Sequence, residues 1–176
     1  MLIIAHRGVS ARAPENTLAA IQMAIDAGAD GVELDVQLAR DGVPVVIHDE
    51  TLFRYTRKKD KVTDLTSKQL ARTDVGSWFN RKHRRFANPE FARETVPTLS
   101  NVLQALTGFS GLIYIELKCN QTNFRELTNA VCDVVSDHPL LPQIIIKSFK
   151  LAVIPEVQHR IAPVQTAALF APEIVH

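Results

Sequence analysis

The sequence predicts an α/β fold in which a mostly parallel sheet is covered by helices. Short apolar runs of strand length alternate with segments whose apolar residues recur at helical spacing. The chain has 176 residues, of which 46% are hydrophobic and 22% charged, and these values fit one soluble domain over residues 1–176. No apolar run approaches the ~20 residues that a membrane-spanning helix needs, so we expect no stable membrane insertion.

The first elements follow from apolar periodicity and turn residues. Strands are predicted at Leu2–Ala5, Gly31–Leu38 and Val43–Ile47, the last two being separated by an Asp-Gly turn. A helix is predicted from Pro14 to about Ala27, because Leu18, Ile21 and Ile25 lie on one face and a glycine follows.

Residues 49–95 interrupt the alternation and are predicted to form an inserted subdomain. They are polar and basic, with short helical pieces such as Ser67–Arg72. The strand–helix pattern then resumes with predicted helices over 97–106, 122–137 and 149–161, and predicted strands at Leu112–Leu117, Gln143–Lys147 and Val164–Phe170. Such a chain can form either an open doubly wound sheet or a closed (β/α)8 barrel. The open sheet should carry a glycine-rich phosphate turn after its first strand, whereas His6-Arg7-Gly8 has a single glycine.

Charge and cysteine content exclude several classes of protein. The net charge of +1 argues against a nucleic-acid binder, which usually carries a strong basic excess. Residues 51–95 nevertheless hold 12 Lys and Arg against 5 Asp and Glu, which is either a solvated face or a device that steers an anionic substrate. Cys119 and Cys132 belong to no metal-binding pattern and are expected to be reduced thiols. Because the first predicted strand already begins at Leu2, we expect no export signal and a cytoplasmic location.

Ionisable residues collect at the C-terminal ends of four successive predicted strands, where barrel enzymes place their sites. They are His6, Glu33, Asp35, His48, Glu116 and Lys118. Residues two apart share a strand face, so Glu33 and Asp35 point opposite to their apolar neighbours, as does Glu116. Three converging carboxylates suit a hard divalent cation. Taken singly, each residue has a simpler explanation, such as a structural histidine or a Glu116–Lys118 ion pair.

The sequence resembles the glycerophosphodiester phosphodiesterase family, and most closely its cytosolic bacterial type. The resemblance covers residue 3 to about residue 170. It is carried by Ile4–Gly8, Glu15–Thr17, Val32–Val36 and Val46–Asp49, and extended by Asp74–Phe79, Pro97–Leu99, Ile115–Lys118 and Lys147–Phe149.

The resemblance implies a TIM barrel with a small insertion after the third strand. It implies a divalent cation, Mg or Ca, held by Glu33, Asp35 and Glu116, and His6 and His48 as the general acid and base. The reaction would be hydrolysis of glycerophosphodiesters to sn-glycerol 3-phosphate and an alcohol, by attack of the adjacent glycerol hydroxyl through a cyclic phosphate. Arg7 and Lys118 would then bind phosphate oxygens.

Four further residues of these motifs have more than one explanation. Asn16 can touch the site or cap a helix. Asp49 is expected to orient His48 or a turn rather than to bind metal, and Trp78 and Phe79 are expected to anchor the insertion rather than to contact substrate.

The chain is shorter than a complete barrel, which takes ~250 residues. About six strands are predicted, so two strand–helix units are expected to be absent, and open sheet edges would favour self-association into a homo-oligomer. Two alternatives to a glycerophosphodiester phosphodiesterase remain: an incomplete barrel that binds metal or phosphate with little turnover, and a phospholipase that acts on intact membrane lipid. The basic stretch Arg81–Arg85 lacks the apolar face that a membrane-bound phospholipase would need.

Overall fold

A computed structural model describes residues 1–171 and shows one six-stranded sheet with helices packed against it. The strands are β1 (Ile4–His6), β2 (Gly31–Leu38), β3 (Pro44–Val46), β4 (Leu112–Leu117), β5 (Ile144–Ser148) and β6 (Gln165–Ala168). Strands β1, β2, β4, β5 and β6 follow one another across the sheet and all run parallel, while β3 lies off this path and pairs with β2. The predicted alternation of strand and helix is confirmed.

Four helices cover one face of this sheet. They are α1 (Leu18–Asp26), α5 (Leu99–Ala105), α6 (Phe124–Val135) and α7 (Val153–Arg160). Their apolar residues share one core cluster with Val32, Leu34 and Val36 of β2, each of which is fully buried. The intervening residues of β2 therefore point to the opposite face, which is the inside of a barrel-like curve.

Strand β3 corrects the sequence-based interpretation, because it is not a parallel barrel strand. It runs antiparallel to β2, with Val36 opposite Val46 and Leu38 opposite Pro44. Only five residues separate the two strands, whereas a parallel connection needs a dozen or more. Gly42 takes a φ of 77° in the connecting turn. The parallel part of the sheet consequently has five strands among residues 1–171.

The insertion between β3 and α5 forms a small structure of its own. It contains α2 (Phe53–Thr56), α3 (Ser67–Leu70), α4 (Ser77–Lys82) and several 3-10 turns. Its apolar residues make two further clusters, one of which includes Val45 and Ile47 beside the hairpin. Phe79 is almost fully buried and Trp78 packs between the two clusters, so the predicted anchoring role of this pair is confirmed.

The sheet stays open within the described range. There, β1 pairs with β2 alone and β6 with β5 alone. Self-association through these two edges stays a prediction. Among residues 1–171, no helix is both long enough and apolar enough to cross a membrane.

Candidate active site

The register of the parallel strands brings the predicted acidic residues together. Asp35 on β2 lies opposite Glu116 on β4, which lies opposite Lys147 on β5. Two residues before Asp35 on β2, Glu33 lies opposite His6, which is the last residue of β1. Neighbouring strands lie about 4.8 Å apart, so residues in one row point side by side into the same space.

Three carboxylates form the centre of the site. Glu33, Asp35 and Glu116 are 3%, 1% and 6% exposed, and each offers an oxygen within 4.8 Å of the others. Buried charges need compensation, and three cationic side chains provide it. Arg7 Nε lies 3.0 Å from Asp35 Oδ2, Lys118 Nζ lies 3.0 Å from Glu116 Oε1, and Lys147 Nζ lies 2.9 Å from Glu33 Oε1.

The carboxylates fit a hard divalent cation. Such ions bind carboxylate oxygens at about 2.0–2.6 Å, so ligand atoms within 4.8 Å of one another can share one ion. Glu33 Oε1 is buried, and the Lys147 ammonium lies 2.9 Å from it. This ammonium balances the buried negative charge that a coordinated cation would balance in its place.

Lys147 is a site residue that the sequence reasoning did not single out. Besides Glu33, its Nζ contacts Glu116 Oε2 at 3.5 Å. Lys118 likewise contacts Asp35 Oδ1 at 3.7 Å in addition to Glu116. The two lysines therefore bridge all three carboxylates. The sequence did carry a signal for Lys147. Side chains alternate between the two faces of β5, and Ile144 and Ile146 pack in the core, so Lys147 lies on the opposite face.

The loop after β1 adds Arg7 and Asn16 to the site. The side-chain amide of Asn16 donates to Asp35 Oδ2 at 2.9 Å, and its oxygen accepts from the Asp35 backbone N–H at 3.2 Å. Thr17, not Asn16, caps α1 by accepting from Ala20 N. Arg7 and Asn16 have φ values of 60° and 58°, a conformation that is rare outside glycine and concentrates at functional sites. Asn16 thus belongs to the site.

The two predicted catalytic histidines approach the carboxylates from different elements. His6 is 65% exposed, and its Nε2 lies 3.8 Å from Glu33 Oε2. His48 follows β3, and its Nδ1 lies 2.9 Å from Asp49 Oδ1, as expected from the sequence. Burial raises the pKa of the Asp49 carboxyl, but hydrogen bonds from Arg54 and His48 outweigh it and lower that pKa. An ionised Asp49 only accepts, so Nδ1 of His48 carries the proton and Nε2 is the ring nitrogen without one.

The antiparallel hairpin brings His48 back to the site. Because β3 runs opposite to β2, the chain returns from the turn until the Ile47 N–H donates to the Asp35 carbonyl. The buried amide of Gln37 then donates to three successive backbone carbonyls, those of Ile47, His48 and Asp49, at 3.1, 2.9 and 2.9 Å. Gln37 therefore anchors the segment that carries His48.

A cavity of about 270 Å³ opens beside the carboxylates. His48, Glu116 and Lys118 line it. Its lining also includes Asn120, Asn123, Lys61 and Lys150. Cys119 also lines it, and burial raises the pKa of that thiol. The cavity suits a small polar molecule with an anionic group near Lys118.

Comparison with known proteins decides the family. The model of the glycerophosphoryl diester phosphodiesterase family matches residues 6–172.

The chain belongs to the glycerophosphoryl diester phosphodiesterase family.

Curated members of the family include two bacterial glycerophosphodiester phosphodiesterases. The protein from Caldanaerobacter subterraneus is 38% identical over 148 residues, which are 84% of this chain and 58% of that protein. The protein from Bacillus altitudinis is 34% identical over an alignment of 178 positions, which covers 99% of this chain and 68% of that protein. The chain thus spans between about half and two thirds of the length of such relatives.

Solved structures of family members confirm the fold class. A phosphodiesterase from Oleispira antarctica, determined with the product sn-glycerol-3-phosphate, superposes with a TM-score of 0.86 at 29% identity, over 99% of this chain and 68% of that one. A glycerophosphodiester phosphodiesterase from Agrobacterium tumefaciens gives a TM-score of 0.75 at 32% identity, over 94% and 65%. The structure corresponds to an incomplete TIM barrel, as the sequence predicted.

Proposed function

We propose that this chain carries the catalytic centre for hydrolysis of glycerophosphodiesters to sn-glycerol 3-phosphate and an alcohol. The observation that carries the proposal is the buried carboxylate cluster, flanked by two histidines and by cationic side chains. This arrangement provides groups that move protons beside groups that hold a phosphate, and both are needed to cleave a phosphodiester.

Glu33, Asp35 and Glu116 are assigned to a divalent cation, Mg or Ca. When bound, such an ion supplies electrostatic stabilisation of the charge that develops on the phosphate oxygens. Arg7 and Lys118 carry positive charges at the edge of the cluster, with side chains 18% and 27% exposed, and are assigned to the phosphate. Asn16 holds Asp35 in place through two hydrogen bonds.

His6 and His48 are assigned to proton transfer. One imidazole accepts the proton of the attacking glycerol hydroxyl and the other protonates the leaving alcohol oxygen, which gives a cyclic phosphate. A water molecule then attacks this cyclic phosphate, giving up a proton to one imidazole while the other protonates the departing glycerol oxygen, and sn-glycerol 3-phosphate results. Histidine suits both tasks, because its ordinary pKa lies near neutral pH. Asp49 fixes the ring of His48 so that Nε2 is free to react.

The proposal is tested by following release of sn-glycerol 3-phosphate from glycerophosphocholine with and without a chelator. We expect turnover that chelation abolishes and that Mg or Ca restores, and a Glu116→Gln variant with little activity at any cation concentration. Activity that persists unchanged in excess chelator, with metal verified absent, would contradict the cation assignment. Calorimetric binding of sn-glycerol 3-phosphate without turnover would favour the alternative of a binding protein, which the open sheet between β1 and β6 makes the second candidate.

A further inference from the structure

Arg54, in α2 of the insertion, contacts two carboxylates that lie outside the central cluster. Its Nε donates to Asp49 Oδ2 at 2.6 Å, and its Nη2 donates to Asp49 Oδ1. Its Nη1 lies 3.0 Å from Glu15 Oε1 in the loop before α1. One guanidinium thus joins α2 of the insertion to the segment that follows β3 and to the loop before α1.

Each of these carboxylates also holds a residue assigned to the reaction. Asp49 Oδ1 lies 2.9 Å from His48 Nδ1, and Glu15 Oε1 lies 3.2 Å from Arg7 Nη1. Arg54 is therefore the common partner of two chains of contacts, of which one ends at His48 and the other at Arg7.

The position of the guanidinium is fixed by the aromatic residues around it. Its Cζ lies 5.3 Å from the ring centre of Tyr55 and 5.1 Å from that of Trp78. The two rings pack edge to face, 5.9 Å apart. A planar cation over aromatic faces is held in orientation as well as in place, and its hydrogen bonds leave Asp49 little freedom.

We propose that Arg54 is a positioning residue, which orients His48 through Asp49 and Arg7 through Glu15. This rests on the proposed function, since it presupposes that His48 and Arg7 act on a phosphodiester. Misplacing a catalytic group by about 1 Å can cost about a hundredfold in rate. Loss of the link to His48 should lower kcat, whereas loss of the link to Arg7 should raise KM.

The first experiment compares Arg54→Met and Arg54→Lys with Arg57→Met. Arg57 follows the same helix and also packs over an aromatic ring, that of Phe53, but has no carboxylate partner within residues 1–171. We expect Arg54→Met to lower kcat about ten- to a hundredfold and to raise KM. Arg54→Lys should restore little, because an ammonium cannot donate to two carboxylates in the planar geometry of a guanidinium. Arg57→Met should keep the parental kcat.

Double-mutant cycles separate the two links. In an Asp49→Asn background, Arg54→Met should produce little further loss in kcat, because the link to His48 is already broken. In a Glu15→Gln background, it should produce little further rise in KM. If Arg54→Met lowers kcat by the same factor in the parental and Asp49→Asn backgrounds, Arg54 does not act through Asp49 and the proposal is wrong.

A measurement without turnover keeps the proposal separate from the enzymatic assignment. The ¹⁵N shifts of His48 Nδ1 and Nε2 report its tautomer, and the Nδ1–H form should dominate in the parental chain. Arg54→Met should yield a tautomer mixture with the melting temperature little changed, whereas unchanged His48 shifts would overturn the positioning role. An inactive parental chain whose His48 shifts still respond to Arg54→Met would contradict the proposed function while supporting the inference.

Discussion

At the scale of single residues, charge balance decides how strongly the carboxylate cluster can hold a cation. Arg7, Lys118 and Lys147 bring three positive charges to the three carboxylates. A lysine ammonium and a divalent cation both bind carboxylate oxygens, so each lysine competes with the cation for the cluster. Lys147 and Lys118 each contact two of the three carboxylates, but the side chain of Lys147 is less exposed, 15% against 27%, which makes it the stronger competitor.

Removal of Lys147 is therefore expected to strengthen cation binding. Two unit charges 4 Å apart interact by roughly 4 kcal/mol at an effective dielectric constant of 20, so Lys147→Met should lower the Kd for Ca or Mn about tenfold or more, measured by calorimetry. Lys150→Met is the matched control, because Lys150 Nζ lies over the Phe124 ring at 5.8 Å. An unchanged Kd in Lys147→Met would show that this lysine does not compete with the ion.

The two histidines should prove essential for turnover without being essential for folding. General acid–base groups contribute about 10²- to 10⁴-fold, so His6→Ala and His48→Ala should each lower kcat by at least a hundredfold. Both side chains are partly exposed, and the melting temperature should change little. His159→Ala, at an exposed position on α7, serves as the control. A variant of His6 or His48 with near-normal kcat would remove that residue from the mechanism.

At the scale of elements, sequence periodicity predicted which residues face the site but not which way every strand runs. The alternation in β2 correctly separated Glu33 and Asp35 from the core residues. A three-residue apolar strand such as β3 carries no mark of direction, and only the short loop before it excludes a parallel crossover. Gln37 shares the parity of Asp35, so its inward orientation was predictable even though its carbonyl partners were not.

Ion pairs between distant segments were beyond prediction from one sequence. Arg54 and Glu15 are 39 positions apart, and nothing in the spacing of either marks the other as its partner. Lys147 likewise contacts Glu33 because β5 and β2 flank β4 in the sheet, an order that the sequence does not reveal. Asn16 had two explanations of equal weight, and the left-handed turn that precedes Thr17 decided between them.

The hairpin supports a prediction about Gln37. Gln37→Leu removes the donor shared by three carbonyls, and leaving a buried polar group without a partner costs about 1–3 kcal/mol. We expect a loss of stability in that range by urea unfolding, together with a lower kcat because His48 loses its anchor. Gln158→Leu removes an exposed hydrogen bond to Thr166 and should change the free energy of unfolding by much less. Equal losses in the two variants would contradict the anchoring role.

At the scale of the whole molecule, charge is divided between the insertion and the rest of the chain. Residues 51–95 carry seven more positive than negative charges, while the whole chain has a net charge of +1. Arg81, Lys82, Arg84 and Arg85 are all exposed, so their charges act on approaching molecules rather than on the buried cluster. Such an asymmetry raises the encounter rate of anionic substrates and is screened by salt.

Replacing these four residues together by glutamine should lower the rate at which substrate encounters the site but should not change the chemical step. At low ionic strength, kcat/KM for a glycerophosphodiester should fall by a few-fold. The gap between parental and variant chains should close as salt shortens the screening length from about 30 Å at 0.01 M to about 8 Å at 0.15 M. The value of kcat should stay the same, since none of the four contacts His6, His48 or the carboxylates within residues 1–171.

A control variant distinguishes steering from a general effect of charge. Arg40 and Arg125 are exposed and lie outside the insertion, so Arg40→Gln with Arg125→Gln should leave the salt dependence of kcat/KM nearly unchanged. A large fall in kcat of the fourfold variant, with the parental salt dependence retained, would mean that the insertion acts on the catalytic groups instead. Since Arg54 already links the insertion to His48 and Arg7, only the salt dependence separates steering by the surface charges from positioning through Arg54.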